Sequence, residues 1–120
     1  MRIDKIYVIA LDHSEQSIDN IIQRMNALGL DSRCGYEIMY AHDGENEPIP
    51  EGYEPYEGWG LGDKTWNDWW KQPLTRGELG CAISHRAVWQ RIIEEKEERV
   101  LVLEEDFKAI RPISSISEDN

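Results

Sequence analysis

Residues Lys5 to Leu11 (KIYVIAL) form an almost unbroken apolar run rich in β-branched and aromatic side chains. Such a run predicts a strand near 5–11 buried on both faces, as strands of parallel sheets are. Polar, cap-like Asp12-His13-Ser14-Glu15 follows, and Ile18, Ile21, Ile22, Met25 and Leu28 then recur at i, i+3, i+4, i+7 and i+10 ahead of Gly29. That spacing predicts an amphipathic helix near 15–28 with a glycine stop. Tyr36 to Ala41 (YEIMYA) alternates and predicts a second strand near 36–41, which completes a right-handed βαβ crossover.

From His42 to Pro73 the pattern dissolves into Gly, Pro, acidic and aromatic residues, and this stretch holds four of the five tryptophans. A loop of that length in a compact domain points to function. Thr75-Arg76-Gly77-Glu78 reads as a capping box, with the Thr hydroxyl and the Glu carboxylate each satisfying a backbone N–H. Leu79, Ala82, Ile83, Trp89, Ile92 and Ile93 then mark the expected buried face of a helix near 76–96. Val100 to Leu103 reads as another fully buried strand, near 99–103, and it stops abruptly at Glu104-Glu105-Asp106. The pattern as a whole predicts one α/β domain over residues 1–113 with a mostly parallel sheet, followed by a polar tail at 114–120.

Composition narrows the partners. Lys+Arg 13 against Asp+Glu 24 gives a formal net charge of -11, which disfavours nucleic acid and anionic lipid as ligands. No stretch approaches the roughly 18 consecutive apolar residues of a membrane span, and the charged N-terminus lacks a secretory pattern, so a cytoplasmic protein is expected. Cys34 and Cys81 have no CxxC or Cys/His spacing and are expected to be reduced thiols.

The acidic triplet after the last strand is the most informative chemistry. Ligand crevices of open α/β sheets lie beyond the carboxyl ends of the strands, where Glu104, Glu105 and Asp106 are delivered. On an extended chain Glu104 and Asp106 share a side, and two hard oxygen donors there suit Mg²⁺ or Mn²⁺ together with phosphate oxygens. The plainer reading is a solvated strand end. Gly58-Trp59-Gly60-Leu61-Gly62 fails as a dinucleotide fingerprint, because Asp63 stands where a glycine is needed and no strand precedes it. Trp66, Trp69 and Trp70 lie at i, i+3 and i+4, a face that fits a core or interface plug better than a sugar-stacking platform.

The segment Leu74-Thr75-Arg76-Gly77-Glu78-Leu79-Gly80-Cys81-Ala82-Ile83-Ser84-His85, followed by Trp89 and Val102-Leu103-Glu104-Glu105-Asp106, resembles glycosyltransferase family 25, the lipopolysaccharide and collagen galactosyl- and glucosyltransferases. Ile6-Tyr7-Val8-Ile9 with Leu11-Asp12, and the turn Ala41-His42-Asp43-Gly44, are similar to the opening of that family. The resemblance implies a Rossmann-like GT-A fold that binds a UDP-sugar through Mn²⁺ or Mg²⁺ held by Glu104 and Asp106. It further implies transfer of galactose or glucose to an acceptor hydroxyl, such as that of a saccharide, with inversion. Donor contacts would fall to Leu11, Asp43, Gly44, Gly77, Glu78 and Glu105, and proton abstraction to His85. The plainer readings are an ordinary Asp-Gly turn for Asp43-Gly44, a cap alone for Glu78, and a hydrogen-bonded helix residue for His85.

Three departures from the family pattern stand out. Arg24 is the only arginine in the first helix, the triplet is Glu-Glu-Asp rather than Glu-Asp-Asp, and the chain resembles only the N-terminal half of the family's catalytic domain. A rival expectation is therefore a catalytically incomplete donor-binding remnant, or one half of a split enzyme acting as a binding or assembly module. The missing half would then come from a second chain, or its apolar edge would be covered in a homodimer burying several of Trp59, Trp66, Trp69 and Trp70.

Overall fold

The computed structural model describes residues 2–30, 34–53 and 75–110. The four loop tryptophans, Trp59, Trp66, Trp69 and Trp70, and the tail at 114–120 lie outside them. The described elements are β1 (Lys5–Ala10), α1 (Glu15–Ala27), β2 (Gly35–Tyr40), α2 (Arg76–Glu94) and β3 (Val100–Glu104). Each falls within about two residues of its expected bounds. All strand pairings are parallel, in the order β2-β1-β3, with Ile6 opposite Tyr36 on one side and Leu101 on the other. The chain divides into two compact units: one holds the sheet, α1 and α2 from His85 onward, and the other runs from His42 to Ser84. No helix among the described residues is long and apolar enough to cross a membrane.

In the sheet unit, β1 is paired along both edges, and side chains pack against both of its faces. Ile6, Val8 and Ala10 point to one side and pack with Ile21, Met25 and Leu30. Tyr7 and Ile9 point to the other and pack with Ala41 and Val88. Burying each of these Ile and Val side chains is worth roughly 1.5–3 kcal/mol relative to exposure. The Tyr7 hydroxyl, inside this layer, donates to Glu97, and burial first and that carboxylate second raise its pKa far above the ordinary phenol value. Burial, with Asp4 nearby, also raises the pKa of the half-buried Cys34 thiol, which favours its protonated form.

Two expectations about burial need correction. Val100 to Leu103 are half-buried rather than fully buried, because β3 borders only β1 among the described strands. On α2 the buried positions are Leu79, Gly80, Ser84 and Val88, whereas Ala82, Trp89 and Ile93 are exposed. The helix is anchored partly by a serine and a glycine, so its apolar residues alone misplace the buried stripe.

Helix α1 begins where Ser14 Oγ accepts the Ser17 N–H at 3.2 Å. Asp12 reinforces this start by accepting from the Ser14 N–H at 2.9 Å and the Ser17 hydroxyl at 2.7 Å, and these bonds lower its pKa. The helix ends at Gly29, whose φ of +70° costs a side-chain-bearing residue more than it costs glycine. Helix α2 begins as the sequence implies, with Thr75 Oγ1 accepting the Glu78 N–H at 3.1 Å. The Glu78 carboxylate, however, accepts from the Thr75 hydroxyl at 3.3 Å. It thus steadies the cap without reaching the backbone. Thr75→Ala is expected to cost about 1 kcal/mol, read as a lower midpoint in thermal unfolding; an unchanged midpoint would place the start of the helix elsewhere.

Candidate functional site

The strand order places a topological switch at β1, since the connection through α1 leads to β2 on one side while the later chain returns as β3 on the other. Crevices form at such a point beyond the carboxyl ends of the strands. There, in the sheet unit, lie Leu11, half-exposed, with Asp12 at the end of β1 and Glu104 to Asp106 at the end of β3. The strands are stitched together beyond the sheet. The Glu105 N–H donates to Ile9 O at 3.0 Å, and Glu105 Oε2 accepts the Asp12 N–H at 3.4 Å.

Glu104 is the last residue of β3, opposite Ile9. The Phe107 N–H then donates to Glu104 O at 3.1 Å, so Glu105 and Asp106 occupy the middle of a turn. The alternation expected of an extended chain ends at Glu104, and the turn decides where Asp106 goes. Glu104 Oε1 lies 3.4 Å from His85 Nε2 on α2. Glu105 and Asp106 line an open cavity of about 260 Å³ with Ser17, Asn20, Ile21 and Arg24 of α1.

Arg24 is the residue that sequence reasoning undervalued. Its Nη1 donates to the carbonyls of Glu105 at 2.5 Å and Phe107 at 3.2 Å, and its guanidinium lies 5.1 Å from the centre of the Phe107 ring. One cation therefore ties α1 to the backbone on both sides of Asp106. The available signal was an arginine three residues after the buried Ile21 and one before the buried Met25, close to the helix face that packs on the sheet.

The other candidate residues belong to the His42–Ser84 unit. Asp43 accepts from the Asn46 side-chain amide at 2.7 Å and from the backbone N–H groups of Glu45 at 3.0 Å and Asn46 at 3.3 Å, and the first of these does most to lower its pKa. Its carboxylate closes its own turn. Gly44 and Gly80 meet through bare backbone: a Cβ on Gly44 would fall 1.8 Å from Arg76 O, and one on Gly80 would fall 2.6 Å from Gly44 N. Ser84 Oγ accepts the His42 N–H and donates to Gly80 O, both at 2.8 Å. Arg76 donates to Gly44 O at 2.9 Å and Glu47 O at 3.0 Å. Gly77 has only the flexible Glu45 side chain near its missing Cβ, and Glu78 is exposed. Much of the motif from Arg76 to Ser84 thus holds the His42-Asp43-Gly44 turn.

The sheet unit is thus a small α/β arrangement of three parallel strands with flanking helices and an acidic turn after its last strand. The sequence model of glycosyltransferase family 25 (LPS biosynthesis protein) matches residues 3–111, and the chain belongs to this family. A glycosyltransferase 25 family member of Aedes aegypti is 29% identical over 119 residues, covering 90% of this chain and 17% of that protein. Procollagen galactosyltransferase 2 of Homo sapiens is 27% identical, covering 90% and 16%. The procollagen lysyl hydroxylase and glycosyltransferase of Acanthamoeba polyphaga mimivirus is 31% identical over 115 residues, covering 87% and 12%. The chain thus spans less than a fifth of the length of these curated relatives. No solved structure matches it.

Proposed function

We propose that this chain forms the donor-binding part of a hexosyltransferase of Rossmann-like GT-A architecture. It binds a UDP-sugar through Mn²⁺ or Mg²⁺, and the enzyme transfers galactose or glucose to an acceptor hydroxyl with inversion. The observation that carries this reading is the acidic turn at the β1/β3 switch point in a member of family 25. The donor set fits the ion: Glu104 and Asp106 offer hard carboxylate oxygens, both exposed, and such cations take one or two carboxylates and complete their shells with phosphate and water. When bound, the ion would act as a Lewis acid toward the diphosphate leaving group. The protein's own part is to fix the acids. Glu105 bonds to the chain after β1, and Arg24 holds the carbonyls on either side of Asp106.

Calorimetric titration of UDP, UDP-galactose and UDP-glucose with and without Mn²⁺ tests the reading. Binding that requires the metal is expected, and its absence for all three nucleotides overturns the proposal. Release or transfer of the sugar then separates a working transferase from a module that only holds the donor.

A further inference from the structure

We propose that His85 is a positioning residue that orients Glu104 for metal binding; this rests on the reading of Glu104 as a metal ligand. Both residues sit on backbone that is independently fixed. Glu104 ends β3 in register with Ile9, and its carbonyl closes the following turn. His85 lies on α2 one turn before Val88, which is fully buried in the layer of Tyr7 and Ile9. With both backbones held, the 3.4 Å approach of Nε2 to Oε1 acts on the rotamers of the Glu104 side chain.

A glutamate needs that restraint more than an aspartate does. Its carboxylate swings on three side-chain torsions, and Glu104 is largely open to water. The aspartate of the pair is managed differently, since Arg24 grips the carbonyls flanking Asp106. The two acids are thus steadied from opposite layers, Asp106 through its backbone from α1 and Glu104 through its side chain from α2. His85 keeps moderate exposure, and the Trp89 ring, with its centroid 6.4 Å away, stands beside it on the same helix. Ligating carboxylates are commonly hydrogen-bonded by such outer partners, whose loss typically lowers metal affinity by about 10–100-fold.

The test is a Mn²⁺ titration, followed by the electron paramagnetic resonance signal of the free ion, on the parent chain and on His85→Ala, His85→Gln, Glu104→Gln and the double variant His85→Ala/Glu104→Gln. His85→Ala is expected to weaken binding about tenfold. His85→Gln, whose amide nitrogen has a reach similar to Nε2, is expected to recover most of it. In the Glu104→Gln background, loss of the imidazole should change nothing further. Thermal midpoints should stay together, because an exposed pair contributes little to stability. Parent-like affinity in His85→Ala overturns the inference while leaving the metal site standing. So does equal weakness of the Ala and Gln variants, which would make the imidazole itself a ligand. Should His85→Ala fail to fold, His85→Gln alone decides: affinity near that of the parent supports orientation, and a tenfold loss refutes it. A parent chain that binds no Mn²⁺ at millimolar concentration overturns the metal reading itself, and the inference falls with it.

Discussion

Gly44→Ala is expected to destabilise the protein by about 3 kcal/mol or more, a large share of the 5–15 kcal/mol typical of a whole domain. The added Cβ would sit 1.8 Å from the carbonyl oxygen and 2.7 Å from the carbonyl carbon of Arg76. Backbone at the first turn of a helix cannot rotate out of the way as a side chain can. The turn after Ala41 would have to retreat from α2, breaking the Arg76 bond to Gly44 O and the Ser84 bond to the His42 N–H. Those losses add to the steric cost of overpacking, which alone runs to about 1–3 kcal/mol. Urea unfolding of Gly44→Ala beside Gly35→Ala measures the effect. Gly35 has no heavy atom within 4 Å of its missing Cβ and no positive φ, so its substitution should be close to neutral. Equal midpoints for the two variants would show that Gly44 and α2 do not meet as described.

That contact also shows what the sequence could and could not reveal. Local signals were legible because they act within a few residues: the apolar run of β1, the 3–4 spacing of Ile18, Ile21, Ile22 and Met25, the Ser14 cap and the Gly29 stop are all realised. The helix near 76–96 was equally clear as a helix, but its inner face was not. Its deepest positions include Gly80 and Ser84, chosen for backbone approach and hydrogen bonding rather than for apolarity. Trp89 and Ile93, which hydrophobicity places inside, are exposed. The half-burial of β3 follows from strand order, which no single strand encodes.

For the site, the acidic triplet and its place after a strand were readable, and so were Asp43-Gly44 and Glu78 as turn and cap. What escaped were partners distant in sequence. Arg24 reaches Glu105 across 81 positions, and His85 reaches Glu104 across a helix end, a connection and a strand. Neither link leaves a spacing pattern. The turn at Glu105-Asp106 was hidden as well, because alternation was extended past the point where the strand stops. The motif around Gly80 also has a structural part that its residue types alone did not reveal, with Gly80 and Ser84 engaged by the His42-Asp43-Gly44 turn.

Asp106→Asn is expected to reduce Mn²⁺-dependent UDP affinity by more than tenfold with stability changed by no more than about 0.5 kcal/mol, the usual range for exposed substitutions. The replacement keeps the shape of the side chain. It removes one negative charge and one hard anionic oxygen, and losing a direct ligand should cost at least as much as losing an outer partner, which is already about tenfold or more. Stability should hold because Asp106 is exposed and the turn it occupies is fastened by other groups: the Phe107 N–H on Glu104 O, and Arg24 on the carbonyls of Glu105 and Phe107. Charge supplies an internal control. On a chain of net charge -11, removing one acid anywhere weakens general attraction for a divalent cation, so Glu94→Gln, on the exposed end of α2, should be measured alongside. If only the site matters, Glu94→Gln retains the parent's metal-dependent affinity while Asp106→Asn loses it. Equal small losses in both would assign the effect to diffuse electrostatics and remove Asp106 from the metal site.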